Sequence, residues 1–183
     1  MRVLKNIVTQ LHRWVFWALL SAVFWAWIFT LLTDTVPAKK VTLFVQTEDC
    51  RTEELALRLE EELPPGIKMV KVHPFSYMLF DNGELQTADL YVVRGSEMES
   101  LLPDFAPLDG LDWSGAGLEP YVAEGRTLGV KIWDAASGTG AAEDYLGYEP
   151  GEDYYLCMNA DSLHLGSGDG AALRIAEALL KIG

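Results

Sequence analysis

The longest apolar stretch of the chain lies near its amino end. Nineteen residues, Trp14 to Leu32, contain no charged side chain, and a helix of that length spans the roughly 30 Å hydrocarbon core of a bilayer. Arg2, Lys5 and Arg13 precede it without an acidic residue, so the positive-inside rule places residues 1–13 in the cytoplasm. The pattern predicts a single-pass helix of the cell membrane, with the remainder of the chain extracytoplasmic.

A cleaved signal peptide is the alternative interpretation of this run. Val36-Pro37-Ala38 resembles a small-residue cleavage site, but the run is longer than the usual core of a signal peptide and holds four tryptophans. We therefore interpret residues 14–32 as a retained signal anchor, followed by a juxtamembrane linker over residues 33–40. Ala18, Ala22 and Ala26 have the spacing that lets two membrane helices approach closely, although alanine is common in any apolar span.

Short apolar runs alternate with helical patterns over residues 41–183. The predicted strands are Val41–Val45, Ile67–Val72, Asp89–Val93, Leu128–Trp133 and Asp153–Asn159. The predicted helices are Thr52–Leu63, a short aromatic helix or turn at Pro74–Phe80, Ser96–Leu102 and Gly170–Ile182.

Several features refine these elements. Ser96 and Glu99 have the spacing of a capping box, and Asp169 is a candidate cap of the last helix. Residues 103–126 show neither the hydrophobic period of a helix nor that of a strand, and they are rich in Gly, Pro and Asp. Strands that are apolar throughout and separated by helices indicate a parallel sheet covered on both faces. The fold class predicted for residues 41–183 is therefore a three-layer α/β domain with a mostly parallel sheet, preceded by one transmembrane helix.

Charge is distributed unevenly along the chain. From Lys39 onward there are 26 acidic and 11 basic residues, a net charge of −15. Such a surface repels nucleic acid and anionic lipid headgroups, and it favours cationic ligands or basic partners. Solubility alone also explains an acidic surface. We expect no nucleic-acid partner.

The two cysteines lie outside the predicted membrane helix, where disulfides persist. Cys50 and Cys157 could form a disulfide, but Cys157 lies in an apolar strand-like run and could equally be a small buried core residue. Both alternatives stay open on the sequence.

The stretch "DAASGTGAAEDY", Asp134 to Tyr145, has the small residues and glycines of a ligand loop. A phosphate-binding loop needs glycines that open a helix, and often a lysine. This stretch offers neither, and its acidic residues would repel a phosphate. Its alternatives are the rim of another ligand site or a simple turn between two strands.

Catalytic and metal-binding motifs are not apparent. His73 and His164 have no Cys or His neighbour at metal-ligand spacing, and no nucleophile elbow occurs. A cluster of carboxylates could hold a hard cation, but its spacing matches no calcium loop and indicates a solvated rim. That cluster is Asp134, Glu143, Asp144, Glu152 and Asp153. We therefore predict no enzyme activity and no cofactor.

A resemblance to a known family covers most of the outer domain. The segments "KKVTLFVQTEDCRTEELALRLEEEL", "TADLYVVRGSEMESLLPDFAPLDGL", "EGRTLGVKIWD" and "YYLCMNADSLHLGSGDGAALRIAEALL" resemble bacterial extracellular solute-binding proteins, which deliver ligands to ABC importers. The resemblance implies a periplasmic-binding-protein fold in which the "ADLYVV" strand ends at a cleft residue, "EGRTLGV" begins a crossing between lobes, and "AALRIAEALL" packs on the first lobe.

The chain departs from that family in its size. Family members trap a ligand between two lobes, whereas here the second lobe is missing or reduced to residues near 105 to 150. A single lobe is expected to bind a free solute poorly, because a small-molecule site needs concave walls. The lipid-attachment cysteine usual in the family is also replaced by the membrane helix.

Any surviving site is expected at the carboxyl ends of the strands, where open α/β sheets bind ligands. The candidate ligand-binding residues are Thr47, Glu48, Asp49, Arg94, Ser96, Asp134, Ser137 and Thr139. Two functions remain. The first is a membrane-anchored, non-catalytic module that contacts a partner, such as an ABC transporter or an envelope protein. The second is a direct receptor for a sugar, a peptide or a cation.

Overall fold

The structure is a computed structural model of the chain. It describes residues 2–182 except 34, 48, 75–86, 112–117 and 166–169, and it describes the backbone alone for residues 2–9 and 31–33. Two compact units are present, Met1–Val36 and Pro37–Gly183. The cap predicted at Asp169 lies outside the described residues. So does the aromatic helix or turn predicted at Pro74–Phe80, except for Pro74, which belongs to a strand.

The first unit is a single helix, α1 (Arg2–Thr33). Its section Gln10–Thr30 is long and apolar enough to cross a membrane. Large apolar side chains along this section are exposed, and Trp14 retains 73% of its accessible surface. The helix contains the whole predicted span and extends beyond it at both ends. The second unit starts with a 3₁₀ turn at Pro37–Lys39, and its first strand already begins at Lys40.

The second unit combines one sheet with three further helices over the described residues. The strands are β1 (Lys40–Val45), β2 (Met69–Pro74), β3 (Leu90–Arg94), β4 (Phe105–Ala106), β5 (Pro120–Ala123), β6 (Arg126–Asp134), β7 (Thr139–Gly140) and β8 (Tyr154–Asn159). The helices are α2 (Thr52–Glu60), α3 (Met98–Leu101) and α4 (Ala171–Leu180). The predicted α/β class is therefore confirmed.

The sheet is mixed. Its strand order is β2-β1-β3-β8-β6-β5, with β4 beside β8 and β7 beside β6. Among the described strands, only β2, β1 and β3 pair in parallel, and the other pairings are antiparallel. The prediction of a mostly parallel sheet thus holds for three strands. It fails beyond β3 because β8 is apolar through burial on both faces, a condition that does not depend on strand direction.

A hairpin replaces the crossing that the family resemblance implied at "EGRTLGV". Glu124 and Gly125 connect β5 to β6 and have φ angles of 52° and 75°. Two central residues with positive φ form the tight turn that matches the twist of antiparallel strands. Residues 105 to 150 accordingly contribute β4 to β7 to the one sheet. The described part of this range forms no separate second lobe.

One face of the sheet, the main face, carries the larger core. Both α2 and α4 pack on it, through Leu55 and Leu59 of α2 and Ile175 and Leu179 of α4, all fully buried. Burial of each such side chain contributes about 1.5 to 3 kcal/mol. Hydrophobic periodicity predicted both helices. The strand residues beneath them are Val41, Leu43, Val45, Leu90, Val92, Val130, Ile132, Leu156 and Met158.

The opposite face, the second face, is covered differently. Among the described residues its cover is the segment Gly95–Asp104, which contains α3 between two 3₁₀ turns. Met98 of this cover and Phe105 of β4 are both buried in the second-face core. Over the residues that the structure describes, the three-layer arrangement is therefore uneven, with two longer helices on one side and one helical turn on the other. The predicted capping box is wrong, because Ser96 lies within the first 3₁₀ turn and α3 begins at Met98 without a side-chain cap.

His164 fastens the beginning of the second unit. The side chain is 2% exposed, and its Nε2 atom lies 3.2 Å from the carbonyl oxygen of Pro37 and 3.1 Å from that of Lys40. These contacts join the loop after β8 to the residues that lead into β1. The structure thus gives His164 the structural role that is usual for an isolated histidine.

Candidate functional site

Three strands that lead to predicted site residues end at the same side of the sheet. β1 and β3 are parallel, and β6 runs in the same direction because both β3 and β6 are antiparallel to β8. Their last residues are Val45, Arg94 and Asp134. We call this side the carboxyl edge. It contains the described members of the predicted site, while Glu48 lies outside the described residues.

A loop before β8 crosses the carboxyl edge. We call Gly147–Asp153 the closing loop. At the end of β1, the Thr47 hydroxyl donates a 2.6 Å hydrogen bond to the Gly147 carbonyl, and the Gly147 N–H donates a 2.7 Å bond to the Asp49 carbonyl. A Cβ atom on residue 147 would lie 2.7 Å from the Asp49 Cβ, so only glycine fits this approach without displacement. Thr47 is 2% exposed and bonded internally.

The closing loop also engages the end of β3. Arg94 Nη2 lies 2.5 Å from Glu149 Oε1. The Arg94 N–H donates a 2.9 Å bond to the side-chain oxygen of Gln46, whose amide group in turn donates to Glu97. Burial alone would lower the pKa of Arg94, but Glu149 and Tyr154 outweigh it and the pKa is raised. The guanidinium charge is therefore already balanced within the chain.

Asp153 joins β3 to β6. Its carbonyl oxygen accepts a 2.8 Å bond from the Gly95 N–H, and its Oδ1 accepts a 2.9 Å bond from the Ala135 N–H. Lys131 Nζ lies 3.0 Å from Asp153 Oδ2 and 2.8 Å from Glu119 Oε2. The hydrogen bonds that Lys131 donates to the Glu119 and Asp153 carboxylates raise the pKa of Lys131. Asp153, predicted only as part of a solvated rim, thus connects two strand ends.

Aromatic packing anchors the closing loop. The Tyr148 ring stacks on Trp133, with centroids 4.5 Å apart and an interplanar angle of 16°, and lies 5.0 Å from the Tyr154 ring. The Tyr148 hydroxyl donates a 2.5 Å bond to the Ala141 carbonyl. Sequence reasoning missed Tyr148, because neither helix nor strand periodicity reports a contact between a loop and a strand end.

The glycine-rich stretch is a β-hairpin turn. Asp134 and Thr139 pair across β6 and β7, and the Gly138 N–H donates a 2.8 Å bond to the Asp134 carbonyl. Asp134 carboxylate oxygens accept bonds from the N–H groups of Ala136 and Ser137, at 3.2 and 3.3 Å. Hydrogen bonding from Ser137 is the main reason that the pKa of Asp134 is lowered. The Ser137 and Thr139 hydroxyl oxygens lie 2.9 Å apart.

An open groove runs beside this hairpin. Its volume is about 740 Å³, and it is lined by Ser137 and Thr139 together with Lys131, Trp133 and Lys181. Asp134 also lines the groove, so three of the predicted ligand residues face a concavity. Asp49 and Ser96 are exposed, but neither is among the residues that line this groove.

The two cysteines are free thiols. Cys50 packs against the main-face core, whereas Cys157 belongs to the second-face core, 3.7 Å from Met98 Sδ. The sheet lies between them, so the disulfide alternative is wrong and Cys157 is the buried core residue of the other alternative. Burial and the charge of Asp49 raise the pKa of Cys50 to about 11, and burial also raises the pKa of Cys157.

The carboxylates near the edge do not form a metal site in the part of the chain that the structure describes. Glu143 and Asp144 are exposed on the turn after β7. No protein-family model matches the sequence, and neither a curated protein nor a solved structure shows significant similarity to the chain.

Proposed function

We propose that the chain is a membrane-tethered, non-catalytic module that acts by contacting a partner protein of the membrane or cell envelope. The observation that carries the proposal is the closing loop. Where a solute-binding domain would offer polar groups at its strand ends, Thr47 is bonded to Gly147 and Arg94 is paired with Glu149. A free solute would have to displace these internal bonds, and each displaced buried group would cost free energy.

The apolar helix supports the tether. α1 is long and apolar enough to cross a membrane, and the basic residues at its amino end favour a cytoplasmic amino terminus with the second unit outside. The resemblance to solute-binding proteins suggests an ABC transporter as one kind of partner. In this proposal the domain keeps one lobe of such a protein as a scaffold for protein contact.

The carboxyl edge is the proposed contact surface, and site-directed crosslinking tests it. A photoreactive residue placed at Asp49 or Ser96, both exposed at this edge, should capture one discrete membrane or envelope protein in native membranes. The matched control is Leu57, which is 65% exposed on α2 and should capture none. The captured protein, once tagged, should retrieve the chain in return. Background capture at both edge positions would remove the main support for the proposal.

The groove beside the hairpin favours a second candidate, a direct solute receptor. A solute present at a hundred times its dissociation constant adds about 2.7 kcal/mol to the free energy of unfolding. The full-length chain in detergent should then unfold at a higher temperature with that sugar, peptide or cation. The paired change Ser137→Ala and Thr139→Val should abolish the shift, and an unchanged shift would show that the groove is not the site.

A further inference from the structure

A separate cavity lies on the second face of the sheet. Its volume is about 300 Å³, at the lower end of the range for small-molecule sites. Aromatic side chains from three elements line it. The rings of Phe44 and Tyr91 have centroids 6.3 Å apart, and those of Tyr91 and Phe105 are 5.9 Å apart. These three neighbouring rings, from β1, β3 and β4, line one part of the cavity, and we call them its aromatic floor.

Carboxylates surround this aromatic floor. Glu97, Asp104 and Asp161 line the cavity, and no lysine or arginine does so among the described residues. Burial raises the pKa of the Tyr91 hydroxyl, and the charges of Asp104, Asp89 and Asp161 raise it further. The cavity therefore has a negative potential that extends to its buried ring.

The neutral polar groups of the cavity are already engaged. The Gln46 amide nitrogen donates to Glu97. The Asn159 amide nitrogen donates a 2.6 Å bond to the Ala88 carbonyl, and its oxygen accepts a 2.9 Å bond from the Asp161 N–H. Recognition in this cavity consequently depends on ring faces and carboxylate oxygens rather than on amides.

We infer that the second-face cavity binds an organic cation, an alkylammonium or guanidinium group. Aromatic rings attract such cations through their negative faces, and the attraction increases when the site is partly shielded from water. Carboxylates at the rim add charge-assisted hydrogen bonds. The same groups repel anions and give a neutral polar solute little to bind. The cation is either a free amine or a basic side chain of another protein.

This inference goes beyond the proposed partner contact, and its test changes Phe44, Asp104 and Asp161, none of which is changed in the test of the carboxyl edge. The carboxyl edge can fail to capture a partner while the cavity binds a cation, and the reverse is equally possible. The experiment therefore uses the purified full-length chain in detergent micelles, with no partner present.

Isothermal titration calorimetry at 150 mM salt tests the cavity with n-butylammonium and n-butylguanidinium. Salt at this concentration screens diffuse attraction to the acidic surface. The isosteric neutral probe is n-butanol, and a trilysine peptide represents a basic protein segment. We expect at least one cationic probe to bind and n-butanol to show no heat of binding. Free amines that bind identify a solute site, and binding by the peptide alone identifies a protein-borne cation.

Two variants with equal charge changes localise the binding. Asp104→Asn with Asp161→Asn should weaken the affinity by about tenfold or more, because both cavity carboxylates are neutralised. Glu143→Gln with Asp144→Asn removes the same charge from an exposed turn and should leave the affinity unchanged within about twofold. Any of three results would overturn the inference. They are an equal loss of affinity in both variant pairs, binding of n-butanol as tight as that of the cations, and no binding by any cationic probe.

Phe44→Leu tests the contribution of the aromatic floor. Leucine keeps the position apolar but removes the ring face, so cation affinity should fall several-fold. An unfolding temperature close to that of the parent protein shows that the domain remains folded. A correctly folded Phe44→Leu variant with parental affinity would contradict the aromatic part of the inference.

Discussion

The carboxyl edge and the second-face cavity are both lined with polar groups, but they differ in whether those groups are paired within the chain. At the edge, the closing loop supplies a partner for Thr47 and for Arg94. On the second face, Asp104 and Asp161 line an aromatic cavity with no described basic residue beside them. A strand end in an α/β sheet is a general place for ligands, yet the edge here is bonded internally and the cavity retains its charge.

The difference shows that the position of a residue in a fold does not determine whether its polar groups are available to a ligand. Position follows from strand order, which places β1, β3 and β6 with their ends together. Availability depends on what the remaining chain places over those ends. Changes in the closing loop should therefore alter the stability of the edge and leave the second-face cavity intact.

The largest effect is expected from Tyr148→Ala. This change removes the stack on Trp133, the contact with Tyr154 and the bond to the Ala141 carbonyl. We expect the free energy of unfolding to fall by roughly 3 kcal/mol, measured by chemical denaturation of the chain in detergent. Tyr148→Phe is the matched control and should cost only about 1 kcal/mol, because it loses the hydrogen bond alone. Equal losses would mean that the hydroxyl, not the stacked ring, anchors the loop.

Thr47→Val should have the next largest effect. Valine keeps the shape of the buried side chain but leaves the Gly147 carbonyl without its 2.6 Å donor. The expected loss is about 1 to 2 kcal/mol. Thr139→Val, an equivalent change at an exposed hairpin position, should stay within about 0.5 kcal/mol of the parent protein. A Thr47→Val protein as stable as the parent would show that the closing loop does not need this bond.

The ion pair between Arg94 and Glu149 should contribute less. Their side chains retain 25% and 46% exposure, so solvent screens the attraction. A double-mutant cycle with Arg94→Met and Glu149→Gln should give a coupling energy of about 0.2 to 1 kcal/mol. A coupling well above that range would indicate that the edge is more strongly desolvated than its exposure suggests.

The hairpin turn at Asp134 should make the smallest contribution to the free energy of unfolding, and lowering the pH should reveal it. Because the folded-state pKa of Asp134 is lowered from its ordinary value of 3.8, its stabilising effect is present above that value and is lost as the pH falls through the folded-state pKa. The stability difference between the parent protein and Asp134→Asn should be present at pH 6 and should disappear well below pH 4. Ser137→Ala should remove part of this pH dependence. If the stability difference between the two proteins stays constant with pH, ionised Asp134 does not stabilise the turn.

Much of the fold follows from hydrophobic patterning. The runs that predicted β1, β3, β6 and β8 differ from the observed strands by no more than two residues at either end. The last helix was predicted at Gly170–Ile182 and is observed at Ala171–Leu180. These elements could be predicted because burial on one or both faces leaves a periodic or continuous apolar record.

The strands that were missed leave no such record. β4 and β7 contain two residues each, and β5 has four and begins with Pro120. A usable signal did exist at Glu124-Gly125, where two turn residues separate two runs of strand-forming residues. The resemblance to a two-lobed family led instead to a crossing at this point. An apolar run shows that a strand is buried but not in which direction it runs. Direction is indicated by the connection between two strands, because a two-residue turn joins antiparallel strands and a parallel pair needs a longer crossover.

The shared position of the three strand ends was predicted from the sequence, but the internal bonds at those ends were not. Topology located the ends of β1, β3 and β6, whereas the bonds that occupy them join residues far apart in the chain. Thr47 and Gly147 are 100 positions apart, and Arg94 and Glu149 are 55 apart. No local spacing encodes such contacts. The second-face cavity was missed for the same reason, since its aromatic and acidic residues come from separate segments.

The position of β1 between two neighbouring strands has a mechanical consequence. The strand begins four residues after Val36, is bonded on one side to β2 and on the other to β3, and His164 fastens its approach at Pro37. Tension arriving along the chain from α1 would load both rows of hydrogen bonds in shear, so that many must break together. Single-molecule pulling from Val36 should therefore require a higher rupture force than pulling from the edge strand β5, whose bonds can open one after another.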